Sequence, residues 1–207
     1  LFPYTTLFRS RYDDGSSKVV IPFFKRNGDH TWLMSGPDTP SPLFGLSTIA
    51  GQFDVFVTEG EKACSAAHAL GLPCVTSQGG SGAAHKADWS PLKQARRVFI
   101  LRDIDEPGMK YAQAVKEIVA ELDLTIEVRI ITLNGLEPDS DQDVVDWIMA
   151  RLPEGAWDGY NAVPEQHVAD LREALLAEVE AAAKETVEVI RDVWPEPASL
   201  PTLIPVT

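Results

Sequence analysis

RRVFILR (residues 96–102), then DIDEPG (103–108), then MKYAQAVKEIVAEL (109–122) is the stretch whose reading decides the fold. A short apolar run gives way to an acidic turn holding Pro107 and Gly108, and the turn to a helix-forming segment. The same alternation recurs on both sides. Upstream, DVFVTE (54–59) reads as a strand, KACSAAHAL (62–70) as a helix ending at Gly71, CVTS (74–77) as a second strand and QGGSG (78–82) as a glycine-rich loop. Downstream, TIEVRIITL (125–133) reads as a fourth strand. Strands separated by helices of this length predict an α/β fold, a parallel sheet of about four strands covered by helices on both faces. In such sheets the chemistry sits at the carboxyl ends of the strands.

That rule selects three acids. Glu59 ends the first strand, and Asp103 and Asp105 follow the third. If those strands are neighbours, the three carboxylates converge on one small volume. Two like charges about 4 Å apart repel by about 4 kcal/mol even at an effective dielectric of 20. Such a cluster needs raised pKa values or a cation. Mg2+ (or Mn2+) suits it, a hard ion held by one or two carboxylates with water and phosphate oxygens completing the shell. The Asp-x-Asp spacing lets both side chains face the site while the residue between turns away. Taken singly, an exposed pair of turn acids explains such spacing as well as a metal site does, and the joint pattern with Glu59 is what favours the metal.

The whole-chain charge of −13 opposes nucleic-acid binding at first sight, because phosphate contacts normally need a basic surface. The first 52 residues are close to neutral, however, and the acidic excess falls in residues 53–207, partly in the proposed metal site and partly on the tail helix. No apolar run reaches the roughly 18–20 residues of a membrane-spanning helix, and no signal peptide is legible, so no membrane and a cytoplasmic location are expected. Cys64 and Cys74 fit no zinc or redox spacing and read as reduced core thiols.

VFVTEGEK (55–62), followed some forty residues later by VFILRDIDEPGMKYA (98–112), resembles the Toprim family, which includes bacterial primases, topoisomerases and some nucleases. That family carries a glutamate-glycine pair after its first strand, matched by Glu59-Gly60, and an Asp-x-Asp after its third, matched by Asp103 and Asp105. The similarity is to the Toprim module of phage and plasmid primase-helicases, with Gly79-Gly80 standing where their Gly-Gly loop belongs and PLFGL (42–46) resembling their preceding segment. It covers roughly residues 18–150. The resemblance implies a Toprim-like Rossmannoid fold, with Glu59 as general acid/base or metal ligand and Asp103 and Asp105 as metal ligands. It departs at Ala63, where bacterial primases usually carry an acid, at Arg102, a cation beside the proposed ligands, and at Ile104, in a slot often held by Gly or Asn.

The function so implied is a magnesium-dependent nucleotidyl transferase, a primase domain for phage or plasmid DNA replication. Its partners would be a single-stranded DNA template, nucleoside triphosphates and a downstream helicase/ATPase. Two other readings stand beside it: a Toprim nuclease of the overcoming-lysogenisation type, and a non-catalytic nucleic-acid-binding Toprim module attached to a helicase. A receiver-like domain has the wrong order of acids. Candidate phosphate contacts are the backbone at Gly60, Gly79 and Gly80, with Lys62 and Lys110 at helix starts and Lys86 a weaker candidate. A plain flexible loop and solvated lysines are the bland alternatives. His68 reads as a packing residue, and Trp32, Trp89 and Trp147 as core or edge aromatics.

The remaining chain divides around residues 53–152, the proposed Toprim domain. Residues 1–10, LFPYTTLFRS, are what the codons CTC TTT CCC TAC ACG ACG CTC TTC CGA TCT encode, and that string matches a common sequencing adapter. They are set aside from the fold, and the gene is expected to continue upstream. Residues 11–52 form a pre-Toprim segment with a β-hairpin over 18–34 turning at Asn27-Gly28. DSDQDVVDWIMARL (139–152) reads as an acidic loop leading into a short helix, and 153–193 as a linker and long helix with Val168, Leu171, Leu175, Leu176, Val179 and Val187 along one side. The Pro-rich residues 194–207 resemble the lead-in to a helicase-like region, which would make the chain truncated at both ends.

Overall fold

The structure is a computed structural model that describes residues 4–13, 18–26, 31 and 39–193, with side chains at 31 and over 39–182. In chain order the elements are β1 (Tyr4–Asp13), β2 (Lys18–Arg26), β3 (Ser41–Pro42), β4 (Asp54–Val57), α1 (Glu61–Ala69), β5 (Cys74–Val75), β6 (Ala87–Asp88), β7 (Arg97–Leu101), α2 (Glu106–Leu122), β8 (Glu127–Ile131), α3 (Val144–Met149) and α4 (Glu165–Val193). The central sheet has the order β5-β4-β7-β8, and each of its pairings is parallel. This is the α/β architecture expected from the alternation of strands and helices.

The strand order creates a switch point. From β4 the chain crosses by α1 to β5 on one side, and from β7 it crosses by α2 to β8 on the other. Because parallel crossovers are right-handed, opposite directions of travel put the two helices on opposite faces. The period-2 alternation of the strands feeds both. Phe56, Phe99, Leu101 and Ile131 join α1, α3 and α4 in one apolar cluster, while Val55, Val57, Val98 and Ile100 join α2 in the other. Strands buried on both faces need near-continuous apolar runs, as VFV and VFIL supply.

α4 closes the first face. Leu171, Leu175 and Val179 are buried in that cluster with Val168 and Leu176 packed against it, whereas Val187 falls outside the described side chains. Glu178 fastens the helix to α3 by accepting from Trp147 Nε1 at 3.1 Å and from Arg151 at 2.9 Å. Trp89 and Trp147 are core residues, as read, and Trp32 lies outside the described residues.

At the N-terminus β2 has a partner that the sequence reading did not anticipate. β2 pairs antiparallel with β1, of which residues 4–10 belong to the stretch set aside as adapter-derived. The physical reason is compositional: a Tyr/Thr/Leu/Phe run is β-prone whatever its origin, and an open strand edge accepts it. The Asn27-Gly28 turn and nearly all of the proposed second arm fall outside the described residues. Two short elements were not anticipated, the parallel pair of β3 with β6 and a bridge from Phe44 to Thr76, which dock PLFGL onto the sheet.

Candidate functional site

β4 and β7 run side by side with Val57 opposite Ile100. Glu59 leaves the first two residues past its end and Asp103 leaves the second in the same way. The two acids therefore emerge at the carboxyl end of the sheet, at the switch point, where parallel α/β sheets leave a crevice. Each is half-buried, and Oε2 of Glu59 and Oδ1 of Asp103 are buried without a hydrogen-bond partner.

Electrostatics at this crevice is dominated by lost water and like charge. Burial pushes the Asp103 carboxyl up to about 8, and Glu59, Asp143, Asp105 and Asp146 add to the rise in that order. Glu59 is raised by burial, then by Asp105 and Asp143, while the hydroxyl and amide of Ser81 pull it down. Asp143 is raised by burial against the opposing hydrogen bond from the Val145 amide.

Asp143 and Asp146 are the site acids that the sequence reading missed. They follow β8 and open α3, where Asp143 accepts from Val145 N at 2.6 Å and Asp146 accepts from Asp143 N at 3.0 Å, a reciprocal capping box. A local rule explains both as caps, so nothing in the sequence marked them as neighbours of Asp103. Asp105 is likewise the N-cap of α2, accepting from Gly108 N at 2.7 Å.

This use as caps bears on metal binding. Among the described residues, no group of three or more His, Cys, Asp or Glu side chains is arranged to enclose an ion by itself. Asp105, Asp143 and Asp146 have each turned an oxygen toward a helix start. A magnesium shell asks for less: one or two protein carboxylates suffice, with water and phosphate completing the octahedron. The two orphaned oxygens of Glu59 and Asp103 supply that number, and unpaired buried anionic oxygens are what a cation relieves. The donor set fits a water-rich Mg2+ site better than an all-protein cage.

Three neighbours hold the acids in place. Gly108 lies directly under Asp103, and a Cβ there would stand 2.6 Å from Asp103 O and 2.8 Å from its Cβ, so the fifth residue after Asp103 has to be glycine. Arg102 turns away from the acids, donating to Thr132 Oγ1 at 2.9 Å and to the carbonyls of Asp103 and Ile104 at 3.0 and 3.1 Å. Its role is to hold the β7–α2 turn. Tyr111, buried on α2, bonds Thr76 Oγ1, Ser77 N and Ser77 Oγ at 3.0–3.3 Å and so fixes the start of the glycine-rich loop.

The candidate phosphate contacts divide. Gly60 is the N-cap of α1, and Lys62 sits in the first turn of that helix, exposed, close enough to lower the Asp143 pKa. Gly79 and Gly80 take φ values of +112° and +78° beside Ser81, which contacts Glu59. Lys110 is instead paired with Glu106 at 2.7 Å on the solvent side of α2, and Lys86 is exposed on a 3-10 turn. His68 is a packing residue, half-buried and bonded to Cys74 O at 2.8 Å.

No protein-family model matches the chain, and no curated protein matches it. Among solved structures, it is similar to the primase fragment of the bacteriophage T7 primase-helicase, with 22% identity over 65% of this chain and 56% of that one and a TM-score of 0.44. It is similar to the DnaG primase catalytic domain bound to ssDNA, with 18% identity over 91% and 57% and a TM-score of 0.45. It is also similar to a DNA primase domain from Pseudomonas aeruginosa, with 17% identity over 89% and 67% and a TM-score of 0.38. The chain spans a little over half the length of the first two.

Proposed function

We propose that this chain is the Toprim domain of a phage- or plasmid-type primase, a nucleotidyl transferase that works with Mg2+ or Mn2+ on a single-stranded DNA template and nucleoside triphosphates. The observation that carries the reading is the pair of unpartnered buried oxygens on Glu59 and Asp103, at the switch point of the sheet, on the two acids that match the Toprim motifs. A bound divalent ion supplies charge neutralisation for an in-line displacement at phosphorus. Glu59, Asp103 and Asp105 would hold it, Asp105 through the oxygen it does not use as a cap. As the alternative to holding the ion, Glu59, raised by burial, is suited to take up the proton of an attacking hydroxyl. Lys62 and the amides of Gly60, Gly79 and Gly80 are suited to phosphate oxygens. A downstream helicase is the partner expected of such a domain.

A second reading, a non-catalytic nucleic-acid-binding module, draws on Ala63 and on the commitment of Asp105 and Asp143 to helix caps. One titration separates the two. Mg2+ and Mn2+ are added to the full chain and to Asp103→Asn/Asp105→Asn while the melting temperature is followed. An ion at a hundred times its dissociation constant stabilises the native state by about 2.7 kcal/mol, and the parent alone is expected to respond. Equal responses, or none, would sink the transferase reading. A positive result is followed by primer synthesis on single-stranded DNA, where triphosphate-dependent product indicates a primase and shortened DNA a nuclease.

A further inference from the structure

The loop after α3 brings an aromatic side chain to the acidic crevice from a part of the chain that carries no motif. Tyr160 is 78% exposed, the ring of a large side chain standing in solvent. Its backbone is not loose. Asp158 Oδ1 accepts from Tyr160 N and Asn161 N, both at 2.9 Å, and Trp157 Nε1 donates to Asn161 O at 2.6 Å. Trp157 itself is 8% exposed and belongs to the core under α3 and α4. The turn is thus anchored at its base and capped by Asp158, and Tyr160 is displayed at its tip.

Where the tip sits is set by two contacts. Gly159, at φ +79°, lies so close to α3 and α1 that a Cβ would meet Val145 Cγ1 at 3.1 Å and Lys62 Cε at 3.5 Å. Lys62 Nζ stands 4.8 Å from the centroid of the Tyr160 ring, a cation over its face. Val145 follows the capping Asp143 by two residues, and Lys62 follows Glu59 by three. The ring is therefore beside the starts of the two helices that bring Glu59 and Asp143 to the site. An exposed aromatic with a cation behind it, next to a crevice suited to phosphate chemistry, offers a nucleotide both of the contacts it needs: a π-face for the base and a positive charge for the backbone.

We infer that Tyr160 and Lys62 form a nucleotide-binding shelf, with Tyr160 stacking on a base of a single-stranded nucleic acid and Lys62 contacting its phosphate. The inference rests on the reading of the acidic site as a phosphoryl-transfer centre, and it adds the base-contacting residue that reading lacks. Stacking is indifferent to base identity, so the shelf would grip the strand without reading its sequence.

The test compares the parent chain, Tyr160→Ala and Tyr160→Phe by fluorescence anisotropy, using labelled oligo(dT) and an abasic strand of equal length. Tyr160→Ala is expected to weaken oligo(dT) binding about ten-fold while Tyr160→Phe stays within about two-fold of the parent. The abasic strand should bind equally to all three. Lys62→Gln should weaken both strands and lower the log–log salt slope by about 0.7. The shelf is overturned by a parent that leaves both strands unbound, by oligo(dT) binding that ignores Tyr160→Ala, by equal loss on both strands, or by Tyr160→Phe falling as far as Tyr160→Ala. A divalent melting shift with binding indifferent to Tyr160 would remove the shelf and leave the transferase reading standing. Binding that depends on Tyr160 with no divalent shift would do the reverse.

Discussion

The two ends of one strand pair, β4 and β7, hold their charges in opposite ways. At the amino end Asp54 faces Arg97 across the ladder, and the guanidinium donates from Nε at 2.8 Å and reaches Glu180 at 2.9 Å. Those hydrogen bonds hold Asp54 below its ordinary range and push Arg97 up. At the carboxyl end Glu59 and Asp103 stand among further acids, each with a buried oxygen lacking a partner and each raised. The same two strands thus end in a satisfied ion pair on one side and an unsatisfied cluster on the other. A fold optimised only for stability would pair both ends, so the unpaired end is where function is to be sought.

Four measurements can break or sharpen that contrast. The largest effect is expected at Gly108, where an added methyl has no room against Asp103. Gly108→Ala should cost about 3 kcal/mol in denaturant unfolding and abolish any divalent-ion melting shift; a neutral outcome would mean that the turn yields and Asp103 is not rigidly placed. Next comes a change of sign. With metal removed by chelator, Asp103→Asn should stabilise the protein by about 1–2 kcal/mol near neutral pH, because burial and like charge force the native carboxyl to be held protonated at a cost that the amide does not carry. Destabilisation by that variant would show that the carboxylate is satisfied after all.

Tyr111→Phe should cost about 1–2 kcal/mol by stranding Ser77 N and Ser77 Oγ, and hydrogen exchange at residues 77–80 should speed up. Unchanged exchange would remove Tyr111 as the support of the glycine-rich loop. The smallest effect belongs to the paired end, which is partly exposed. Asp54→Asn should cost less than about 1 kcal/mol near neutral pH. Since the folded pKa of Asp54 lies below its ordinary 3.8, its contribution is full above that value and fades as pH falls through the folded one. The melting difference between parent and Asp54→Asn should therefore close in strong acid, and a difference independent of pH would assign it to packing.

Much of this could be read in advance, and the divide is physical. Apolar runs such as VFIL and VFV, with period-2 alternation between two covered faces, gave the four strands and the parallel sheet, and Gly71, Pro107 and Gly108 gave helix boundaries. Glu59, Asp103 and Asp105 could be named because strand ends are where parallel sheets place their chemistry. The pairing of β2 with β1 was not anticipated, because β-propensity says that a segment will pair and not with what.

What the sequence alone determined, then, is local: which segments are strands, which are helices, and which acids sit at strand ends. Only the tertiary structure decided what meets across long separations. It set β4 beside β7, so that two ordinary turn acids became one half-buried pair. It brought Asp143 and Asp146 to that pair from the far side of β8, and it aimed Arg102 at backbone carbonyls instead of at its acidic neighbours. It also carried Tyr160 to Lys62. Periodicity and capping rules act over a few residues, whereas convergence of charge depends on strand order and crossover hand, which no short window of sequence contains.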